Sequence, residues 1–184
     1  MDKERTQRRI VAIDLRSRKF GFAVLEGPRT LLEWGAKCYR EPLSDIPPMM
    51  LKGIDPLLTS FSPEAIVVRQ FANRSSSGRS RHSLMLNAVE QEARRRSMKF
   101  VIIGREEIAQ CFGTRAGATK HDVACRIALH FPELTWRLPP TRKSWMKEHY
   151  TMTIFDAVSA GLTYLARFSD VFPNTTREPE ARAG

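Results

Sequence analysis

The sequence predicts one α/β domain with a mixed sheet, in which a three-strand antiparallel meander is followed by parallel strands and flanked by helices. The first third of the chain contains three β-type runs separated by turn residues, which indicates a meander. Short, almost continuously apolar runs then alternate with helical patterns, as in parallel strands buried on both faces. The 184 residues, 42% of them hydrophobic, suffice for the core of one ordinary domain.

The meander begins with two β-type runs that are joined by a short basic link. Residues 9–14 and 20–25 form these runs, and the link at 16–19 has the length of a hairpin turn. A third run follows at 31–39, with Pro28 marking the turn before it. Three consecutive strands are therefore expected to open the fold.

A helix and two short apolar runs follow the meander. Residues 46–61 have the apolar spacing of a helix, with Asp45 as a candidate N-cap and Pro47 in the first turn, where proline is tolerated. The run at 65–69 is typical of a central strand covered on both faces, and the run at 100–103 is expected to be the next buried strand. Between them we expect a basic, Gly- and Ser-rich loop and then a helix, at residues 73–81 and 82–96.

Two more helices are expected in the C-terminal part of the chain. Thr119 and Asp122 have the spacing of a capping box at the start of the first. The second carries an apolar stripe over residues 157–165, and the segment 132–150 between the two is irregular and basic. The expected organisation is a flexible basic arm, a single domain and a disordered tail, at residues 1–8, 9–172 and 173–184.

The charge of the chain indicates a polyanionic partner. Thirty Lys and Arg residues oppose twenty Asp and Glu, so that the formal net charge is +10 and the isoelectric point is about 10.1. A small, strongly basic domain is expected to meet nucleic acid more often than a membrane surface. No apolar run approaches the ~20 residues that span a bilayer, and no export signal is recognisable. The three widely spaced cysteines favour reduced, semi-buried thiols in a cytoplasmic protein and no zinc site.

Two aspartates are the candidate catalytic residues. Asp14 ends an apolar strand, where an unpaired carboxylate is costly to bury, so it either serves a metal or a base or caps the following turn. Asp156 lies where the last apolar helix begins. It is either functional or an N-cap that complements the helix dipole.

Several motifs in order along the chain resemble the RuvC junction resolvases of the ribonuclease H-like superfamily. They are V-A-I-D ending at Asp14, a hairpin with G-F-A-V, a strand with P-E-A-I-V-V, a K-x-x-V helix beginning at Lys120, and F-D-A-V-S-A-G-L around Asp156. The resemblance spans residues 10–165. It implies a ribonuclease H-like fold, a Mg²⁺ or Mn²⁺ cofactor held by Asp14 and Asp156, and a homodimer with the helix at 82–96 as candidate interface.

The chain departs from the pattern of these resolvases at two expected acidic positions. The glutamate that ends the fourth strand is replaced by Arg69, and the acidic residue or histidine three positions before the final aspartate is replaced by Thr153. Glu148 is a candidate third catalytic carboxylate. It could approach Asp156 only if the segment before the last helix is a loop, and otherwise it is a solvated surface residue.

The resemblance and the clustering of charge also predict a nucleic-acid-binding surface. Arg and Lys side chains near the two aspartates would contact phosphates, which gives affinity and salt dependence without sequence reading. Phe71, just after the fourth strand, is either a base-stacking residue or part of the core. The complete set of predicted nucleic-acid-binding residues is Arg16, Arg18, Lys19, Arg69, Phe71, Arg74, Arg79, Arg81 and Lys120.

These observations support two functional hypotheses. One is a Mg²⁺-dependent endonuclease that hydrolyses phosphodiesters in branched or structured DNA, with Asp14, Asp156 and Glu148 at its catalytic site. The other is a catalytically degenerate ribonuclease H-like domain that binds nucleic acid, or joins a larger DNA- or RNA-processing complex, without cutting. Retention of the two aspartates favours the first hypothesis, and Arg69 with Thr153 favours the second.

Overall fold

The computed structural model describes residues 8–70, 76–113, 119–143 and 145–168, with only the backbone described at 76–81. Five strands and five α-helices are described, together with one 3₁₀ helix at Pro132–Arg137. The strands are β1 (Arg9–Arg16), β2 (Lys19–Glu26), β3 (Thr30–Cys38), β4 (Ala65–Arg69) and β5 (Lys99–Ile103). The helices are α1 (Ile46–Phe61), α2 (Ser76–Arg95), α3 (Arg105–Cys111), α4 (Lys120–His130) and α5 (Met152–Ala166).

The five strands form one mixed sheet with the order β3-β2-β1-β4-β5. The first three strands are antiparallel neighbours, whereas β1, β4 and β5 run parallel. The predicted meander followed by parallel strands is therefore confirmed. In this register Asp14 faces Gly21 on β2 and Arg69 on β4.

Helices cover both faces of the sheet and form two hydrophobic cores. On one face, Ile10 and Ala12 of β1 join the core that includes α3, α4 and α5. On the other face, Val11 and Ile13 join the core that includes α1 and α2. Both faces of β1 are covered, as expected for a strand that is apolar on both faces. Asp14, which belongs to this strand, is therefore buried in the interior.

Helix α5 is the most deeply buried helix of the described structure. Every residue from Met152 to Leu165 is buried, and the helix packs across β1 and β2. Gly21 allows this close approach, since a Cβ atom at that position would lie 2.1 Å from the carbonyl oxygen of Thr153. The fit between β2 and α5 therefore sets where the polar side chains of α5 lie relative to β1.

The structure departs from the expected elements at four places. Strand β5, which was expected to be buried, is the edge strand beside β4, and Ile102 on it is 41% exposed. Helix α2 begins at Ser76, so the prediction of a loop is wrong for residues 76–81. Ser and Gly are weak helix formers, but the tertiary context can override such local preferences. The short helix α3 was not expected; it begins at Arg105, directly after Gly104, whose N–H donates to Glu107. Asp45 precedes α1 but makes no side-chain cap. By contrast, the capping box of Thr119 and Asp122 is confirmed.

The ends of the chain lie largely outside the described residues. This applies to the expected arm up to residue 7 and to the expected tail at 173–184. Arg8, at the end of that arm, forms an ion pair of 2.9 Å with Glu64. Cys38 is exposed on the edge strand and is not semi-buried as expected. Among the helices that the structure describes, none has the length and apolarity needed to cross a membrane.

Candidate functional site

Asp14 lies near the carboxyl end of β1 and is completely buried. Its Oδ2 accepts a hydrogen bond of 2.6 Å from Nε of Arg16 and one of 2.8 Å from Oγ1 of Thr153. Its Oδ1 lies 3.6 Å from Nη1 of Arg69. The carboxylate is therefore held by two guanidinium groups and a hydroxyl group, and it does not cap the following turn.

Asp156 meets the same two arginines from the other side of the site. It is the fifth residue of α5, one turn inside the helix, so the interpretation as an N-cap is wrong. Its Oδ2 accepts hydrogen bonds of 2.6 Å from Nη2 of Arg16 and 2.8 Å from Nζ of Lys120. Its Oδ1 lies 3.4 Å from Nε of Arg69. The two predicted catalytic aspartates thus come together, as expected, but with cations between them.

Arg69 is the last residue of β4 and is only 7% exposed. Its Nε makes no hydrogen bond of ordinary geometry within the described structure, and neither does Oδ1 of Asp14. The contacts of Arg69 with the two aspartates are therefore mainly electrostatic. They are strong nevertheless, because attraction between opposite charges increases where water is excluded.

Glu148 also reaches this site, because the segment that precedes α5 is not helical. Its Oε1 accepts a hydrogen bond of 2.8 Å from Nζ of Lys120, and its Oε2 lies 3.5 Å from Nη2 of Arg16. The side chain is 27% exposed. Of the two alternatives for Glu148, the structure has the loop that brings it towards Asp156. We call the six residues Asp14, Arg16, Arg69, Lys120, Glu148 and Asp156 the charge cluster.

The surroundings shift the pKa values of three members of the charge cluster. Burial and then the negative charge of Asp14 raise the pKa of Asp156 above its usual value, against the opposing effect of the three cations. Burial also acts to raise the pKa of Glu148, but the hydrogen bond and charge of Lys120, with the charges of the two arginines, outweigh it and lower that pKa. Burial disfavours the charged form of Arg16, yet the neighbouring carboxylates outweigh it and raise its pKa.

The donor set of the cluster does not fit a divalent metal centre. Its three carboxylates are matched by three cations, and every carboxylate oxygen of Asp14 and Asp156 faces a guanidinium or ammonium group. Within the described ranges, no group of three or more His, Cys, Asp or Glu side chains is arranged to hold a metal ion. Mg²⁺ requires several oxygen ligands at ~2.1 Å. Arg16 already hydrogen-bonds the oxygens that such an ion would need.

The predicted nucleic-acid-binding residues have different places in the structure. Arg16, Arg69 and Lys120 belong to the charge cluster. Arg18 is exposed in the β1–β2 turn, where its guanidinium donates to the carbonyl oxygen of Glu41, and Lys19 is half-buried at the start of β2. Phe71 and Arg74 lie outside the described residues, and only the backbone of Arg79 and Arg81, within α2, is described.

Two residues at the site were not assigned a role from the sequence. Thr153 replaces an expected acidic residue, and its hydroxyl group instead donates to Asp14. Its spacing of three from Asp156 places both on one helix face, which was the available signal. His82 of α2 lies near Arg16, and burial followed by the charge of Arg16 lowers its pKa. No sequence pattern marks His82.

Comparisons with known proteins find the same fold in solved structures, although no match is found by sequence. No protein-family profile matches the chain, and no curated protein is similar to it in sequence. Solved structures do match. Thermus thermophilus RuvC in complex with a Holliday junction substrate superposes with a TM-score of 0.67 at 21% identity, covering 90% of this chain and 99% of that one.

Two further resolvase structures match less closely. The yeast mitochondrial Holliday junction resolvase has a TM-score of 0.60 at 12% identity, covering 88% of this chain and 80% of its own. The fowlpox virus Holliday junction resolvase has a TM-score of 0.51 at 11% identity, covering 86% and 99% respectively. The chain is therefore RuvC-like in fold, a divergent protein with the ribonuclease H-like architecture of the Holliday junction resolvases.

Proposed function

We propose that this chain binds branched DNA as a structure-selective binding protein and does not cut it by metal-dependent hydrolysis. The charge cluster is the observation that carries this proposal. Arg16 and Arg69 lie at 2.6–3.6 Å from the two aspartates that a resolvase-like nuclease would use for its metal ions. A divalent cation there would be repelled by two fixed guanidinium groups and would have to displace their hydrogen bonds.

Support for a nucleic-acid partner comes from charge and from the fold. The formal net charge is +10, and the matching RuvC structure contains a Holliday junction substrate. Arg18, an exposed cation in the turn after β1, is two residues from Arg16 of the charge cluster. Contacts of this kind to phosphates produce affinity that falls steeply with salt.

Within this proposal the charge cluster acts as a structural element. It joins β1, β4, α4, α5 and the segment before α5 through ion pairs, most of which are shielded from water. Removing one partner of such a network leaves an uncompensated charge in the interior, which is strongly unfavourable. The cluster therefore fixes the carboxyl ends of β1 and β4, near which the proposed DNA-binding residues lie.

The second candidate is the Mg²⁺- or Mn²⁺-dependent endonuclease of branched DNA. The observation in its favour is that three carboxylates, Asp14, Asp156 and Glu148, converge on Arg16. Asp156 and Glu148 also share Lys120. It requires that DNA or metal draw Arg16 and Arg69 away from the aspartates. A homodimer through α2 remains a prediction under both functions; Leu84 of that helix is 61% exposed.

A four-way DNA junction and a linear duplex of the same sequence distinguish the candidates. Binding is measured by fluorescence anisotropy at several salt concentrations, and cleavage is measured on the same labelled DNA with Mg²⁺ or Mn²⁺. We expect tighter binding to the junction than to the duplex, weakening with salt, and no metal-dependent product. Cleavage that requires metal and disappears in an Asp14→Asn variant that still binds the junction would replace this proposal with the nuclease. Equal affinity for junction and duplex would refute selectivity for branched DNA.

A further inference from the structure

A group of aromatic side chains lies on the surface next to the charge cluster. Trp136 of the 3₁₀ helix is 67% exposed, and Tyr150, just before α5, is 47% exposed. Arg137 lies between them, and half-buried Trp34 of the edge strand β3 lies beside Trp136. We call these four residues the aromatic surface.

Specific contacts hold the aromatic surface in place. The guanidinium carbon of Arg137 lies 3.9 Å from the ring centroid of Trp136, within cation–π distance. Its Nη1 donates to the hydroxyl oxygen of Tyr150 at 3.2 Å, and the ring centroids of Trp34 and Trp136 are 5.8 Å apart in an edge-to-face arrangement. A preformed set of rings loses little conformational entropy when a ligand binds.

The aromatic surface is continuous with the charge cluster through three consecutive residues. The ring of Tyr150 lies 4.8 Å from that of His149. Glu148, the preceding residue, hydrogen-bonds Lys120 of the cluster. A strand of nucleic acid bound near the cluster would therefore reach the aromatic rings within a few nucleotides.

Charge around the rings favours a polyanion over a protein partner. Between residues 133 and 150, four basic residues (Arg137, Arg142, Lys143 and Lys147) oppose two glutamates (Glu133 and Glu148), and Glu148 is already paired with Lys120. Arg142, Lys143 and Lys147 are exposed. Exposed tryptophan and tyrosine beside arginine also occur at protein interfaces. Trp145 and Met146 of the same segment are exposed as well, at 77% and 47%. The excess of exposed cations that flank these apolar side chains favours the polyanion.

We propose that the aromatic surface stacks the bases of unpaired nucleotides in bound DNA, with Trp136 as the principal stacking residue. This rests on the proposed function and names the feature of branched DNA that the protein selects. Every base has a π face, so stacking on Trp136 and Tyr150 gives affinity without sequence preference. Arg137 covers part of Trp136 and supports its ring, while the neighbouring lysines contact the phosphates of the same strand.

The test compares two substitutions of Trp136 that differ in aromaticity. Trp136→Leu removes the π face but keeps an apolar side chain, whereas Trp136→Phe keeps a ring. Leu129→Ala, on α4, is the control for an exposed apolar residue outside the aromatic surface; Leu129 is 83% exposed. Fluorescence anisotropy is measured with an oligothymidylate, a four-way junction containing unpaired thymidines, and a fully paired duplex. Thermal melting verifies that each variant folds.

We expect a loss of affinity only for DNA that contains unpaired nucleotides. Trp136→Leu weakens binding of the oligothymidylate and of the junction with unpaired thymidines by about tenfold, the effect of losing one stacked base. Binding of the duplex stays unchanged, and Trp136→Phe and Leu129→Ala remain within about twofold of the wild type.

Other outcomes separate this inference from the proposed function. Suppose that the wild type prefers the junction and that Trp136→Leu binds each DNA with the same affinity as the wild type does. Base stacking is then refuted and selective binding stands. If the wild type binds oligothymidylate in a Trp136-dependent manner but does not prefer the junction, stacking stands and the proposed function fails. A loss of self-association in Trp136→Leu, measured by light scattering, with unchanged DNA affinity would make this surface a protein interface and overturn the proposal.

Discussion

Asp14 and Arg69 are directly opposite each other in the parallel register of β1 and β4, with Oδ1 of the aspartate 3.6 Å from Nη1 of the arginine. Both side chains are buried. An ion pair therefore occupies the position at which the resemblance to the resolvases predicts a second carboxylate. The negative charge of Asp14 is neutralised there by the arginine.

Arg69→Glu is predicted to create a metal-binding site. The variant exchanges a buried cation for a carboxylate beside Asp14 and Asp156, so it should be destabilised without metal by roughly 3–5 kcal/mol, as when a buried pair is broken. Mg²⁺ or Mn²⁺ should restore part of that stability, because ligand binding to the folded state stabilises it. The measurement is the melting temperature as a function of metal concentration.

Arg69→Gln is the matched control for this experiment. It removes the cation without adding a carboxylate and should show no metal-dependent rise in melting temperature. Wild-type protein that is stabilised by metal as strongly as Arg69→Glu would contradict our conclusion that the present donor set does not fit a divalent ion.

Asp14→Asn should destabilise the fold, because Asp14 is a counter-charge for two buried arginines. The substitution leaves the buried guanidinium groups of Arg16 and Arg69 with one carboxylate fewer, and we expect a loss of roughly 3–5 kcal/mol in the free energy of unfolding. Asp55→Asn is the comparison, because Asp55 pairs with Arg96 at the surface with its side chain 54% exposed. Such exposed pairs contribute only ~0–1 kcal/mol. Urea denaturation measures both; equal effects would mean that the charge cluster has no structural role.

Gly21→Ala is predicted to disturb the site from a distance. A Cβ atom there would collide with the backbone of Thr153, at 2.1 Å from its carbonyl oxygen, so α5 must move away from β2. Overpacking of this kind costs typically ~1–3 kcal/mol, and the displaced α5 would separate Asp156 from Asp14.

Gly35→Ala provides the control for this substitution. Its Cβ would lie 3.1 Å from the ring of Phe22, which is a side chain that can shift, so a smaller loss is expected. Chemical denaturation gives the stabilities, and binding of the four-way junction reports on the site. A Gly21→Ala protein as stable as the wild type would show that the contact between β2 and α5 is adaptable.

The ion pairs of Glu148 should make stability depend on pH under acidic conditions. Its pKa in the folded protein is below the ordinary value of 4.5, so its stabilising contribution is present above that pH and is lost as the pH falls through the folded pKa. The stability difference between wild type and Glu148→Gln should therefore be largest near neutral pH and shrink on acidification. Denaturation midpoints at a series of pH values measure it. Glu133→Gln, at an exposed position, should differ little from wild type throughout.

Much of the fold follows from hydrophobic periodicity, and the failures have local causes. Strand β4 and helix α1 have the predicted bounds because their apolar patterns are uninterrupted. Helix α3 has only seven residues, too few for a periodic signal, and its start depends on a hydrogen bond between Gly104 and Glu107. The beginning of α2 was predicted as a loop because it is rich in Ser and Gly, which are weak helix formers.

The candidate site was predictable in its members but not in its electrostatics. The positions of Asp14 and Asp156 on an apolar strand and helix left structural roles open, and the resemblance to the RuvC resolvases made them candidate catalytic residues and made Arg69 a departure. That Arg69 and Arg16 lie between the aspartates depends on strand register and on rotamers, which local pattern does not contain. The aromatic surface was missed because Trp34, Trp136 and Tyr150 are far apart in the chain and become neighbours only in the fold.

The balanced charges of the cluster give Asp14 and Asp156 a role that does not depend on a metal ion. Each buried arginine needs the two aspartates as counter-charges, so the fold itself requires both carboxylates. A pair of aspartates at these two positions is therefore, by itself, a poor guide to nuclease activity.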